Sequence, residues 1–190
     1  IYWTSCPGCN AQAVCDYVEE AISSIKSDKT DLTIGIIGYG HVGKLVAQMA
    51  QKSGYRVLLS DPPLGIGYSL KEIAPQCDVL TFHTPLTYDG EYPTYHICNA
   101  NILHLCKPNT LIINAARGGV IDEYALYAQL STINCQLSTA IDCWENEPQL
   151  NQALLEKVDL ASFHIAGYSI EGKMKASEMC LQAFCEFFSL

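Results

Sequence analysis

The chain has 190 residues, of which 49% are hydrophobic and 16% are charged, with a net charge of −9 and a mean hydropathy of +0.11. This length is enough to bury one substantial core, and so few charges argue against a disordered chain. No run of 18 or more apolar residues occurs and acidic residues outnumber basic ones by 20 to 11, which excludes a membrane span and argues against nucleic acid as a partner.

The first element in chain order is a predicted helix that follows the turn-like stretch Cys6-Pro7-Gly8-Cys9. Asn10 is placed to cap this helix, and a polar stretch over residues 26–31 ends it. Apolar residues recur within it at helical spacing, at Val14, Val18, Ile22 and Ile25. The Cys-x-x-Cys pair leaves redox or metal chemistry as a minor alternative, because a zinc site needs two further ligands at matching spacing and a thioredoxin-like motif needs a preceding strand.

The 10 cysteines fall largely within apolar runs, where a free cysteine behaves as a small hydrophobe. A chain of this length needs no disulfide framework, so we expect free thiols in a reducing cytosol and therefore a cytoplasmic protein. The chain begins at Ile1 and shows no charged segment followed by a short apolar stretch, so we expect no signal peptide and a cut or processed start.

Apolar segments predict strands at residues 32–37, 56–60, 78–82, 111–114, 138–141 and 158–162, with a helix over residues 42–52. These strands lack polar alternation and are separated by crossovers, which is typical of a parallel sheet covered on both faces. No internal repeat and no long linker divides the sequence. The predicted fold is therefore a doubly wound α/β sheet in one domain over residues 1–190.

A glycine-rich motif, Gly38-Tyr39-Gly40-His41-Val42-Gly43, directly follows the first predicted strand and opens a helix. The first glycine permits a tight turn, the second lets a pyrophosphate approach the backbone, and the third lets helix and strand pack closely. The helix N-terminus supplies free N–H groups for the phosphates. A simple strand-to-helix turn is the alternative for this motif taken alone.

Asp61 ends the second predicted strand, where a carboxylate accepts hydrogen bonds from both ribose hydroxyls of a dinucleotide. Together with the glycine motif it predicts dinucleotide binding. Pro62-Pro63 follows with no arginine nearby, so a 2′-phosphate would meet a carboxylate and no cation. We therefore expect NAD rather than NADP.

Candidate catalytic residues follow three later strands. Arg117 ends one apolar run and is suited to a bidentate clamp on a carboxylate, with an ordinary ion pair as the equal alternative. Acidic residues follow the next strand, within Asp142–Pro148, and His164 ends the last one. A histidine with a carboxylate partner is a tuned acid–base pair, although His164 alone could be a core or turn histidine. The remaining histidines have no comparable carboxylate placed by the same logic: His41, His83, His96 and His104.

In this order the motifs resemble the NAD-dependent D-2-hydroxyacid dehydrogenase family, from about Ser5 to the end of the chain. The matching residues are Gly38–Gly43, Asp61, Arg117–Gly119, Asp142–Pro148 and His164. The segments Cys77–Leu86, Thr94–His96 and His164–Lys173 narrow the resemblance to members whose substrate is a phosphorylated 2-hydroxy acid. A Rossmann-like domain, with hydride transfer from C2 of that substrate to the nicotinamide, is what the resemblance implies.

The resemblance also implies roles for single residues. Arg117 would bind the substrate carboxylate and the oxygen at C2. His164 would exchange the hydroxyl proton, Glu147 would hydrogen-bond His164, and Tyr168 would lie against the substrate. The residues expected to contact NAD are Gly38, Gly40, His41, Val42, Gly43, Asp61, Thr84, Ala115, Ala116, Arg117, Asp142 and Gly167. No metal is expected.

Members of this family carry a second, substrate-binding domain built from sequence on both sides of the nucleotide-binding segment, and we expect it to be absent from this chain. The helix after Asn10 would pack across a homodimer interface, with a core helix of one chain as the alternative. Fold alone does not settle activity. An NAD-responsive, corepressor-like binding protein, or another D-2-hydroxyacid dehydrogenase, is therefore the alternative function.

Overall fold

The computed structural model describes residues 3–189. Its strands are β1 (Thr33–Ile37), β2 (Arg56–Asp61), β3 (Ile66–Gly67), β4 (Val79–Phe82), β5 (Leu111–Asn114), β6 (Ser138–Ile141) and β7 (Leu160–Ala161). Its helices are α1 (Ala11–Ile25), α2 (His41–Lys52), α3 (Leu70–Ile73), α4 (Ala100–Leu105), α5 (Glu123–Leu130), α6 (Gln152–Leu155) and α7 (Ile170–Phe188). Within this described part of the chain, none of the helices is both long and apolar enough to cross a membrane.

The seven strands form one sheet in the order β3-β2-β1-β4-β5-β6-β7. All neighbouring strands are parallel except β2 and β3, which are antiparallel. The chain starts the sheet at its centre, with Ile34 opposite Val57 on one side and Val79 on the other. The sequence order therefore reverses at β1, and a crevice opens between β1 and β4 at their carboxyl ends.

Both faces of the sheet are covered, because alternate strand residues point to opposite sides. Ile34 and Ile36 pack with α1 and α2, while Ile37 and Leu80 pack with the shorter helices on the other face. All four side chains are buried. The predicted doubly wound α/β fold is confirmed.

The apolar stripe of α1 is used within this chain. Val14, Val18 and Ile22 are buried, with Val18 and Ile22 in the core cluster formed with α2 and the sheet. The expectation that this stripe packs across a dimer interface is therefore wrong, and the core-helix alternative holds. Asn10 occupies the N-cap position as predicted, but its side chain makes no capping hydrogen bond.

The predicted strand bounds at residues 111–114 and 138–141 agree with the structure. The last strand is shorter than predicted, because β7 covers only Leu160–Ala161, so His164 lies in the loop beyond it rather than at its end. The antiparallel β3 was not predicted, and neither was α7, which runs for 19 residues and ends at Phe188.

Candidate functional site

The glycine-rich motif has the geometry that its three roles require. Gly38 has a φ of +93°, in the left-handed region that favours glycine. A Cβ on Gly43 would lie 2.0 Å from the Gly38 carbonyl oxygen, so α2 and the turn can pack this closely only through glycine. A Cβ on Gly40 would meet nothing within 4 Å. The open space at Gly40, beside the N-terminus of α2, fits the approach of a phosphate to the backbone.

Asp61 connects the end of β2 to this motif. Its Oδ2 accepts a hydrogen bond of 2.6 Å from the Tyr39 backbone N–H, and its Oδ1 accepts one of 3.3 Å from Leu64 N–H. The side chain is half-buried and borders a cleft of about 1040 Å³. Asp61 therefore sets the position of the glycine turn and also faces the space where a ribose would lie.

Three adjoining cavities form one groove along the carboxyl edge of the sheet. The cleft at Asp61 shares Gly40, His83, Thr84 and Pro85 with a second cavity of about 360 Å³. The second shares Asn10, Val14, Ala115 and Arg117 with a third of about 220 Å³, which reaches His164. The groove, here named the edge groove, thus runs from Asp61 to His164.

Nearly all residues expected to contact the cofactor border the edge groove. They are Gly38, Gly40, His41, Val42, Asp61, Thr84, Ala115, Ala116, Arg117, Asp142 and Gly167. Gly43 is the exception, because it is buried beneath the turn. The carboxyl ends of β1, β2, β4, β5 and β6 bring these residues together, since parallel strands end at the same edge.

The Arg117 side chain is exposed and lines the edge groove. Its Nη1 donates to the Ala116 carbonyl oxygen at 2.6 Å, and within residues 3–189 no carboxylate lies at ion-pair distance from it. The turn is fixed by buried Asn114, whose Nδ2 donates to the carbonyl oxygens of Arg117 and Cys143 at 3.0 Å each. The guanidinium is therefore available for an anionic ligand, and the structural ion-pair alternative is wrong.

His164 and Glu147 form a pair at the end of the groove. His164 Nδ1 lies 2.8 Å from Glu147 Oε2, and the other Glu147 oxygen accepts from Trp144 N–H at 2.7 Å. A carboxylate only accepts hydrogen bonds, so the pair places the proton on Nδ1 and leaves Nε2 for a ligand. Glu147 itself does not line the edge groove but lines an adjoining cavity together with His164.

Buried Asp142 holds the loop that carries His164. Its Oδ1 accepts from Ser162 Oγ at 2.6 Å and from Ile165 N–H at 2.8 Å, and its Oδ2 accepts from Ala166 N–H at 3.0 Å. The side chain is 1% exposed. Its contact with NAD stays a prediction, because the structure shows the carboxylate as the anchor of this loop.

His96 corrects one sequence expectation. It does have carboxylate partners: its Nε2 lies 3.0 Å from Glu145 Oε1, and its Nδ1 lies 3.7 Å from Asp122 Oδ2. Its ring also stacks on Tyr95, with centroids 3.8 Å apart. These partners come from loops distant in sequence, so no local motif could indicate them. His96 does not border the edge groove.

Two titratable groups, one buried and one half-buried, support the site without belonging to its predicted set. Burial raises the pKa of Glu123 to about 7, and its Oε1 accepts from Glu145 N–H at 2.6 Å, so it anchors the loop that leads to Glu147. Burial lowers the pKa of His83 to about 3. His83 Nε2 lies 3.0 Å from Thr81 Oγ1, and this neutral ring forms part of the groove wall.

Tyr168 borders the groove beside His164, and its contact with a substrate stays a prediction. Its ring is largely exposed, and Lys173 Nζ lies 3.4 Å from the ring centroid. A hydrogen bond with Lys173 lowers the pKa of the Tyr168 hydroxyl. The groove therefore ends in a surface that carries the Arg117 and Lys173 cations.

Comparison with known proteins agrees with this geometry. Residues 15–166 match the family model of the D-isomer specific 2-hydroxyacid dehydrogenase, NAD binding domain. The erythronate-4-phosphate dehydrogenase of Bacteroides thetaiotaomicron is 44% identical over 201 residues, which cover 100% of this chain and 57% of that protein. The same enzyme of Citrobacter koseri is 41% identical over 195 residues, covering 97% of this chain and 51% of that protein. The chain spans about half the length of these curated relatives.

Solved structures share the fold. The NAD+-bound 3-phosphoglycerate dehydrogenase of Entamoeba histolytica has a TM-score of 0.80 at 23% identity, covering 97% of this chain and 63% of that one. The D-mandelate dehydrogenase of Rhodotorula graminis has a TM-score of 0.80 at 24% identity, covering 95% of this chain and 63% of that one. Since the family model spans most of the sequence, the chain belongs to the NAD-binding domain family of the D-isomer specific 2-hydroxyacid dehydrogenases.

Proposed function

We propose that this protein oxidises 4-phospho-D-erythronate, a phosphorylated 2-hydroxy acid, to its 2-oxo acid with NAD, as a step of pyridoxine biosynthesis. The observation that carries the proposal is the arrangement of Arg117 and the His164–Glu147 pair at one end of the edge groove, with Asp61 at the other. Relatives at 40–44% identity that are named erythronate-4-phosphate dehydrogenases support this substrate.

The residues of the groove fit a dinucleotide. The open space at Gly40 and the N-terminus of α2 would take the diphosphate, and Asp61 would accept from the ribose hydroxyls. Thr84, Ala115 and Gly167 border the path between the ribose end and the catalytic end. When bound, NAD supplies a hydride acceptor for C2 of the substrate.

The chain's own side chains would then bind the acid and move its proton. The Arg117 guanidinium offers parallel N–H donors to the substrate carboxylate, which a point charge cannot reproduce. His164 Nε2, which has no hydrogen-bond partner among residues 3–189, would take the hydroxyl proton, while Nδ1 faces Glu147. Glu147 holds the imidazole in this orientation and stabilises the imidazolium that forms. Tyr168 would contact the substrate from the exposed side.

The proposal also covers the second domain, the cellular location and the oligomeric state. The curated relatives are about twice as long as the part that this chain spans, and we infer that the substrate-binding wall of the site belongs to that further sequence. We also propose a cytoplasmic homodimer. Because the α1 stripe is buried within the chain, the dimer contact would have to use other surfaces.

A chimera tests the activity. The 190-residue chain replaces the matching segment of the Bacteroides thetaiotaomicron relative, and NADH formation is followed with 4-phospho-D-erythronate. We expect turnover that Arg117→Lys largely removes, and that His164→Asn lowers on the order of 10²- to 10⁴-fold. His164→Asn should keep the NAD dissociation constant of the parent chimera, measured by calorimetry.

A folded chimera that binds NAD but forms no NADH with this acid would contradict the proposal. It would favour the NAD-responsive binding protein instead. Turnover that is unchanged by Arg117→Lys would remove the carboxylate clamp from the mechanism.

A further inference from the structure

Two cysteines from opposite ends of the chain touch where the N-terminal turn meets α7. Cys6 Sγ lies 3.3 Å from Cys180 Sγ and donates a hydrogen bond of 3.2 Å to the Ala176 carbonyl oxygen. A third cysteine, Cys9, lies in the same turn, where its N–H donates to the Cys6 carbonyl oxygen at 3.2 Å. The proposed oxidation of the substrate uses none of these thiols.

These thiols differ from the structural cysteines of the core. Cys15, Cys77, Cys98 and Cys143 are buried, and burial raises the pKa of each. By contrast, Cys180 is exposed, and Cys6 and Cys9 are half-buried, so small reagents can reach them. Over residues 3–189 no group of histidine, cysteine or acidic side chains is arranged to hold a metal ion. The contact between Cys6 and Cys180 is therefore suited to thiol–disulfide exchange.

We propose that Cys6 and Cys180 form a reversible thiol-modification site, at which a low-molecular-weight disulfide such as glutathione disulfide joins α7 to the N-terminal turn. The exposed Cys180 thiolate attacks one sulfur of glutathione disulfide, which forms a mixed disulfide and releases one glutathione. Cys6 then attacks Cys180 Sγ and releases the second glutathione. The two protein protons pass to the two glutathione thiolates, so one disulfide is reduced and one is formed.

The geometry requires little movement for this step. A disulfide brings two sulfurs to about 2 Å, and the exposed Cys180 side chain can close the remaining gap by rotation. The hydrogen bond shared with Cys180 raises the pKa of the Cys6 thiol. The second step uses the Cys6 thiolate, so we expect cross-linking to accelerate between pH 7 and pH 9.

The bond would join α7 to the N-terminal turn, and Gly8 of this turn borders the edge groove. The turn places Gly8 against the ring of His41, where an added Cβ would lie 2.6 Å from Cδ2. Asn10, which follows this turn, packs against Gly167, where an added Cβ would lie 2.5 Å from the Asn10 Nδ2 atom. Cys6 and Cys180 are separated by 174 positions, so their cross-link would close almost the whole chain into one loop. A loop of this length removes much freedom from the unfolded chain.

The experiment treats the 190-residue protein with glutathione disulfide and maps the products by peptide mass spectrometry. We expect two thiols to disappear, a Cys6–Cys180 disulfide to form, dithiothreitol to restore both thiols, and the melting temperature to rise by at least about 5 °C. Cys180→Ser should abolish the cross-link and the rise. Cys185→Ser, which changes another cysteine of α7, is the matched control and should preserve both.

Three results would overturn the proposal. One is a disulfide that maps to Cys6–Cys9 rather than to Cys6–Cys180. Another is glutathione that remains attached to Cys180 without closure. The third is a mapped Cys6–Cys180 bond that leaves the melting temperature unchanged or lowers it, because the native geometry would then not accommodate the bond.

Discussion

Single buried polar residues hold the loops that carry the proposed catalytic residues in place. Asn114 joins the Arg117 turn to the Cys143 backbone, and Asp142 binds the backbone N–H groups of the His164 loop. Such groups are costly to bury unless every hydrogen bond is made, so each fixes its loops in one arrangement. The exposed Arg117 and His164 therefore rest on a rigid base, which proton transfer and carboxylate binding both require.

The first prediction at this scale concerns Asp61. We expect the chain to bind NAD more tightly than NADP, because the carboxylate accepts from ribose hydroxyls and repels a 2′-phosphate. Asp61→Asn keeps an acceptor oxygen for Tyr39 N–H but removes the charge, so the preference should narrow. Asp61→Ala loses both the acceptor oxygen and the charge, and it should weaken NAD binding about 10- to 100-fold.

Calorimetry with NAD and with NADP measures these affinities, and exposed Asp31→Asn is the control. Tighter binding of NADP than of NAD by the parent chain would contradict this prediction.

The second prediction follows from the pKa of Glu123, which burial raises to about 7 from an ordinary value of 4.5. The folded chain thus holds this proton more tightly than the unfolded chain does. The resulting stability is complete below about pH 4.5 and is lost as the pH rises through about 7, by about 3 kcal/mol. Glu123→Gln should remove that loss, because the amide oxygen can still accept from Glu145 N–H.

Urea unfolding at pH 5 and pH 8 checks this prediction. The Gln variant should be more stable than the parent at pH 8, and its stability should depend less on pH. Exposed Glu156→Gln is the control and should follow the parent at both values. A Gln variant that is less stable than the parent at pH 8 would show that the folded protein stabilises the charged Glu123 carboxylate, which would contradict the raised pKa.

Some site residues could be predicted from the sequence and others could not. Asp61, Arg117 and His164 each follow a strand, so the strand pattern alone indicates that they meet at one edge of the sheet. His96 and Glu123 were missed, because their partners on the loop after β6 become neighbours only once the chain has folded. Burial of Glu123 also could not be anticipated, since acidic residues in a first helical turn are usually exposed.

At the scale of elements, the turn from β1 into α2 yields a paired prediction. Gly43→Ala places a Cβ 2.0 Å from the Gly38 carbonyl oxygen, so we expect a loss of about 1–3 kcal/mol in the free energy of unfolding. Gly40→Ala meets nothing within 4 Å, and its φ of −79° suits alanine. It should leave the fold nearly intact but weaken NAD binding, because the methyl group fills the space for the diphosphate.

Thermal unfolding and NAD calorimetry on the two variants separate these effects. The two glycines are three positions apart in one motif, so each variant is the control for the other. Equal destabilisation by both would mean that the motif serves only as a strand-to-helix turn. Unchanged NAD affinity in Gly40→Ala would mean that the diphosphate lies elsewhere.

The elements themselves were predictable where the hydrophobic pattern is continuous. β5 and β6 consist of short runs within a buried sheet, and their bounds follow directly from the sequence. β3 contains only Ile66–Gly67, which is too short to show a hydrophobic periodicity in the sequence. Its pairing with β2 depends on a turn through residues 62–64. Helix α7 was missed although apolar side chains recur along it at helical spacing, and several of them are exposed, among them Met174, Leu181 and Phe184.

At the scale of the whole molecule, we predict that the 190-residue chain by itself binds NAD but oxidises 4-phospho-D-erythronate far more slowly than the chimera described above. The edge groove lies within one contiguous segment, so the contacts to the cofactor are present. His164 and Tyr168 remain open to solvent, and hydride transfer requires a closed, water-poor site with the reacting atoms about 3–3.5 Å apart.

Calorimetry of the chain with NAD, followed by an assay of NADH formation beside the chimera, measures both parts. Comparable rates would show that the further sequence of the relatives is dispensable for closing the site. Failure to bind NAD at all would contradict the assignment of the groove.

Both edges of the sheet end in strands of only two residues, β3 on one side and β7 on the other. A long exposed edge presents a row of unpaired backbone groups and can recruit a strand from another molecule. Here β3 runs against the direction of β2 and β7 covers only the end of β6, so neither edge offers a template for continued pairing. The sheet is thereby protected from edge-to-edge aggregation, and copies of this chain should associate through helices and loops rather than by extending the sheet.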